Sequence, residues 1–122
     1  MKEITPKEKK LLKKARIKEL MEVYGTLLSD KEKKVLTLFT DPALTGAAIA
    51  KRLKISRQAV HDHIRRGVNK MERCDAKTNM LEKRQKKMKI IAEMEGILSR
   101  QKLEEDDVQE LNRLVASLKK LE

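Results

Sequence analysis

Tryptophan is absent from the 122 residues, and Tyr24 and Phe39 are the only aromatic side chains. An interior with so few rings has to be filled by Leu, Ile, Val, Met and Ala, which favours helices packed on helices. Cys74 is the single cysteine, so an intramolecular disulfide and a cysteine-based metal cluster are both excluded. A reducing compartment suits such a chain. Gly25, Gly46, Gly67 and Gly96 are isolated from one another, which leaves no phosphate-cradling loop for nucleotide hydrolysis. Apolar runs never approach the roughly 20 residues that a membrane span requires. The opening MKEITPKEKK lacks the apolar stretch of a secretory signal, and the expected location is the cytoplasm.

Charge is what the chain has in abundance. Charged residues make up 40% of it, apolar residues 39%, and the net charge is +11. That apolar content, arranged periodically, is too high for a disordered chain. The positive excess extends over residues 1–102, whereas the last twenty residues are acidic. Such a field attracts polyanions and makes their binding salt-sensitive. A lysine-rich solubilising surface would give the same balance, so charge alone does not assign a partner.

Helix boundaries are marked by local signals. Thr5, Pro6 and Glu8 supply a cap, a first-turn proline and a capping-box glutamate. The following stripe, Leu11, Leu12, Ala15, Leu20 and Val23, predicts a helix to about Tyr24, which Gly25 can end. Ser29 and Glu32 repeat the capping box ahead of Val35, Leu36, Leu38 and Phe39, and Asp41-Pro42 stops that helix.

The most informative stretch is TGAAIAKRLKISRQAVHDHIRR, residues 45–66. Thr45 caps a short helix with Ala47, Ile49, Ala50 and Leu53 inward, Lys54 occupies a turn, and Ser56 caps a second helix with Ala59, Val60 and Ile64 inward. Leu44 and Ile55, each just before a cap, are placed to staple onto Ile49 and Val60. The pattern predicts a helix-turn-helix, which sets its second helix in a nucleic-acid groove. Near the start of that helix, Arg57 and Gln58 suit guanine and adenine edges, with His61 and Arg65 also facing outward. Lys51, Arg52, Lys54 and Arg66 are placed for phosphates, and Thr45 and Ser56 complete the candidate contact set. Asp62 opposes phosphate unless it is paired, and Arg66, four residues on, is its expected partner.

The blocks SRQAVHDHIRR, Ser56 to Arg66, and YGTLLSDKEKKVLTLF, Tyr24 to Phe39, closely resemble the YlxM family of helix-turn-helix proteins. The resemblance extends from about Ile17 through the closing LNRLVASLKKLE. It implies a core like region 4 of sigma factors and a small cytoplasmic bacterial protein acting in the signal recognition particle pathway, with that particle's GTPase as a further partner. Ala48, Lys51 and Arg52 depart from the acidic first helix usual in such proteins, and Lys54 stands where many such motifs place glycine.

After Pro42 no proline occurs, so the second helix can run on past Gly67. Val68, Met71, Cys74, Thr78, Leu81, Met88, Ile91 and Met94 recur as on one long amphipathic helix, which Ile97 and Leu98 close. Glu104 to Asp107 then open a last helix with Val108, Leu111, Leu114, Val115, Leu118 and Leu121 on one face. The expected fold is therefore all-α: residues 1–66 form a three-helix, winged-helix-like core without strands, and residues 67–122 form a helical hairpin packed on that core or on a second copy. Heptad-like spacing favours a homodimer.

No constellation here supports catalysis. His61 and His63, two apart, point to different sides of a helix and cannot chelate one metal. Cys74 has no local base and suits a half-buried structural thiol. We expect no enzyme activity and no cofactor. Two functions fit: a regulator binding DNA in preference to RNA, or an accessory that binds signal recognition particle RNA or its GTPase without reading DNA.

Overall fold

The computed structural model describes residues 5–121, and their regular structure consists of six α-helices and one 3-10 turn. The helices divide after Thr78 into two compact units. In the first unit α1 spans Pro6–Tyr24, α2 Asp30–Phe39, α3 Gly46–Leu53 and α4 Arg57–Thr78. The expected caps are in place. Thr5 Oγ1 accepts from the Glu8 amide at 3.2 Å while Glu8 Oε2 accepts from the Thr5 amide at 3.2 Å, and Ser29 and Glu32 make the same reciprocal pair at the start of α2. Gly25 ends α1 without left-handed backbone: its φ of −55° leads into the 3-10 turn Gly25–Leu27.

Ile17, Leu20 and Tyr24 of α1, Val35 and Leu36 of α2, Ile49 and Ala50 of α3, and Val60, Ile64 and Met71 of α4 form the core. The apolar stripe of α1 is therefore displaced from the one the spacing predicts. Leu11 and Leu12 are 44% and 58% exposed, Ala15 is exposed, and burial begins at Ile17, because the earlier turns lie beside surface hollows rather than over the core. Ala47 likewise faces solvent, leaving Ile49 and Ala50 as the packed residues of α3.

The longest helix, α4, ties the unit together. It continues through Gly67, where α2 crosses closely: a Cβ would meet the side-chain ends Leu36 Cδ1 at 2.6 Å and Leu28 Cδ2 at 3.2 Å, so any side chain there makes its neighbours shift. Beside this crossing, buried Glu32 accepts from Lys70 Nζ at 2.7 Å. Burial would push the Glu32 carboxyl up, but the hydrogen bonds from Lys70 and Ser29 outweigh it and hold the group below its ordinary range. α1 is clipped to the far half of α4. Arg16 forks onto Glu72 at 3.1 and 3.3 Å and reaches Asp75, while the Tyr24 hydroxyl donates to Asp75 Oδ1 at 2.6 Å. Later residues of α1 meet later residues of α4, so the two helices run in the same sense.

The single long helix expected beyond Gly67 is broken. Asn79 adopts left-handed backbone, φ 52°, between α4 and α5 (Met80–Leu98), a conformation that asparagine tolerates better than most residues. The boundary between units thus falls here rather than between residues 66 and 67. α5 and α6 (Glu105–Lys120) form the anticipated antiparallel hairpin, with Ile97 and Leu114 buried. The Glu104 amide donates to Asp107 Oδ2 at 2.9 Å at the start of α6, and Glu105, Asp106 and Asp107 place negative charge at its amino end. Among the described residues no helix is long and apolar enough to cross a membrane.

Candidate nucleic-acid interface

The interface is built by two caps and one strained turn. Thr45 Oγ1 accepts from the Ala48 amide at 3.2 Å, with no glutamate to close a capping box. The eight-residue α3 then ends at Lys54, whose φ of 57° and ψ of 43° are left-handed. The Ile55 amide then donates to Ala50 O at 3.1 Å, and Ser56 Oγ accepts from the Ala59 amide at 3.0 Å. The turn therefore reverses the chain between α3 and α4 within three residues and fixes their angle. A lysine held there costs about 1–2 kcal/mol relative to glycine.

All ten residues expected to contact nucleic acid lie in the first unit, and Thr45, Lys51, Arg52, Lys54, Ser56, Arg57, Gln58, His61, Arg65 and Arg66 are all exposed. The hydroxyls of Thr45 and Ser56 accept cap bonds, and each keeps a proton to donate. His61 and Arg65 border one hollow beside Ile64 and Asn69. Arg52 is not grouped with them; it lies with Lys33, Lys34 and Leu38 on the side of the unit where α2 meets α3. His63 is half-buried beside Val35, Leu53 and Ile55, so the two histidines do face different ways. Cys74 is half-buried as expected.

Asp62 does not take the expected partner. Its Oδ1 accepts from Gln58 Nε2 at 3.1 Å and lies 3.4 Å from Arg65 Nη2, so it joins two candidate contact residues instead of Arg66. Gln58, one turn earlier, holds the carboxylate on the side that Arg65 reaches. The outward face of α4 is consequently pre-ordered: Arg57 and Arg66 flank a Gln58–Asp62–Arg65 network. The exposed pair is weak in water and gives way readily to a phosphate or a base edge.

Sequence reading missed Lys14. Its ammonium donates to Asp41 O and Leu44 O, each at 2.9 Å, and lies 5.0 Å from the centre of the Phe39 ring. It therefore anchors the α2–α3 connection to α1, just ahead of Thr45. Nothing local to Lys14 marks it, since its partners are 27 and 30 residues away.

Two capped helices joined by a left-handed turn, the second presenting a basic outward face, define a helix-turn-helix protein. The chain belongs to the UPF0122 family, described as "Putative helix-turn-helix protein, YlxM / p13 like", which residues 11–111 match. It is 40% identical over 75 residues to a UPF0122 protein of Clostridium botulinum, covering 62% of this chain and 69% of that one. It is 31% identical over 113 residues to a UPF0122 protein of Bacillus mycoides, and 30% identical over 113 residues to one of Bacillus anthracis. Each of those alignments covers 92% of this chain and 99% of the relative.

Proposed function

We propose that this protein is a DNA-binding regulator of the cytoplasm, without catalytic activity, that lays α4 in the major groove. The observation that carries this reading is the solvent-exposed, basic first half of α4, set by two hydroxyl caps and a fixed turn. Arg57 and Gln58 read base edges, His61 and Arg65 follow along the groove, and Lys51, Lys54 and Arg66 hold phosphates. The test is binding of the purified protein to fragments of its own genome, repeated with Arg57→Ala and Gln58→Ala. Base readers change which fragments are retained, whereas loss of a phosphate contact weakens all fragments alike. Uniform weakening by both substitutions would count against base reading.

A second copy bound through the hairpin extends this reading. Met88, Ile91, Val108 and Val115 are exposed apolar residues of α5 and α6. The hairpin is also polar along its length, because Lys83, Lys86, Lys87, Lys119 and Lys120 cluster at its open end and Glu104 to Asp107 at its turn. An antiparallel partner hairpin would set basic end against acidic end and cover the apolar residues. Ile91→Glu with Val115→Glu should yield a monomer in sedimentation analysis; a wild-type monomer would contradict the pairing.

The alternative, an accessory that binds signal recognition particle RNA or its GTPase, draws on the family resemblance and on the exposed lysines Lys83 and Lys86 of α5. Under it, the RNA is retained in preference to any duplex DNA, and replacing Lys83, Arg84, Lys86 and Lys87 impairs that retention.

A further inference from the structure

The first turns of α1 carry Lys7, Lys10, Lys13 and Lys14, and none of them belongs to the motif. Two surface hollows in the first unit show where they lie. One, of about 340 Å³, gathers these lysines against Phe39 and the start of α3 at Thr45 and Gly46. The other, of about 300 Å³, places Lys13 with His61, Arg65 and Asn69 of α4. Lys13 and Phe39 border both, so a continuous basic surface runs from α1 to the groove-facing residues of α4. None of the described residues lining either hollow is acidic.

The direction of the helices explains this placement. Because α1 and α4 run in the same sense, the half of α1 before the Arg16 clip lies alongside the first half of α4. Lys14 is committed to two backbone carbonyls and the Phe39 ring. Lys7, Lys10 and Lys13 are exposed and have no carboxylate partner among the described residues. At a rise of about 1.5 Å per residue they span roughly 9 Å, enough to follow a backbone past more than one phosphate. Lys7 and Lys10 also precede the stretch that matches the family, which starts at residue 11.

We infer that Lys7, Lys10 and Lys13 form a phosphate clamp that grips the DNA backbone beside the groove occupied by α4. The inference rests on the duplex-binding reading above. The clamp adds affinity without sequence preference, since lysine ammoniums on phosphates carry no base information.

The test uses the full chain and duplex DNA, with log affinity followed against log salt for four proteins: wild type, Lys7→Gln/Lys10→Gln/Lys13→Gln, Arg57→Ala, and a charge-matched control of exposed lysines, Lys18→Gln/Lys31→Gln/Lys77→Gln. Thermal unfolding confirms that each variant is folded. The clamp variant should bind at least about tenfold more weakly, with a salt slope shallower by about 2–3, and should keep the wild-type order of preferred fragments. The control should leave both slope and affinity near wild type. Equal loss in the clamp variant and the control would reduce the effect to general charge and overturn the clamp. Weakening by Arg57→Ala with an unchanged clamp variant would overturn the clamp alone, whereas a wild-type protein that binds no duplex would overturn the duplex-binding reading with it.

Discussion

Under the proposed function, Lys54 and Asp62 each compromise between folding and binding, in opposite directions. Lys54 holds left-handed backbone at the turn where glycine would be relaxed. Lys54→Gly should raise stability by about 0.5–1 kcal/mol in urea unfolding, the relieved strain being partly offset by the freer unfolded chain. The same change should weaken duplex binding, because a phosphate contact is lost. A variant that is stabilised and binds as wild type would remove Lys54 from the interface. Asp62 restrains Gln58 and Arg65 while placing a negative charge on the outward face of α4. Asp62→Asn should tighten DNA binding by about three- to tenfold, with a steeper salt slope from the released Arg65. Weaker binding in titration would mean instead that the carboxylate itself accepts from a base.

At the level of elements, the crossing of α2 and α4 is the decisive contact, and Gly67 and Glu32 control it. Gly67→Ala gains about 1 kcal/mol of helix propensity but forces a methyl against buried Leu36, so its net effect in thermal unfolding should be small. Gly67→Leu has no such compensation and should destabilise by more than about 3 kcal/mol. Glu32 contributes through its ionised form. Because its folded-state pKa is lowered, its stabilisation is complete above the unfolded-state value and is lost as pH falls through the folded-state value. Glu32→Gln, which can still cap α2, should therefore cost about 1–2 kcal/mol at neutral pH, and the gap to wild type should close in acid. A gap that is constant with pH would show that the Lys70 pair contributes nothing. These elements also show what the sequence makes legible. Caps at Thr5, Ser29, Thr45 and Ser56 were readable because a cap is decided within four residues. The role of Gly67, the buried register of α1 and the Lys14 anchor were not, because each depends on which helix crosses which. The break at Asn79 lies between: apolar periodicity continues across it, and only the tolerance of asparagine for left-handed backbone marks the spot.

Across the whole molecule, the excess of positive charge is not evenly spent. Lys70 and Arg16 are committed to carboxylates inside the first unit, and Lys14 to carbonyls, whereas Lys54 of the turn, Arg57 and Arg66 of α4, and Lys7, Lys10 and Lys13 of early α1 are open to solvent. A net charge of +11 with this distribution predicts duplex affinity that falls steeply between about 50 and 200 mM salt. The candidate contact residues were readable from the spacing of residues 45–66, since outward positions on a short capped helix follow from its period alone; the partner of Asp62 did not follow, because Arg65 and Arg66 are both within reach of one carboxylate. DNA reading by α4 is tested most directly by a map of backbone amide shifts on adding duplex DNA to the intact protein. Groove reading by α4 predicts the largest changes over residues 45–66, with a second set at Lys7, Lys10 and Lys13. Changes confined to α5 and α6, or none at all, would contradict the assignment of α4 as the element that reads DNA.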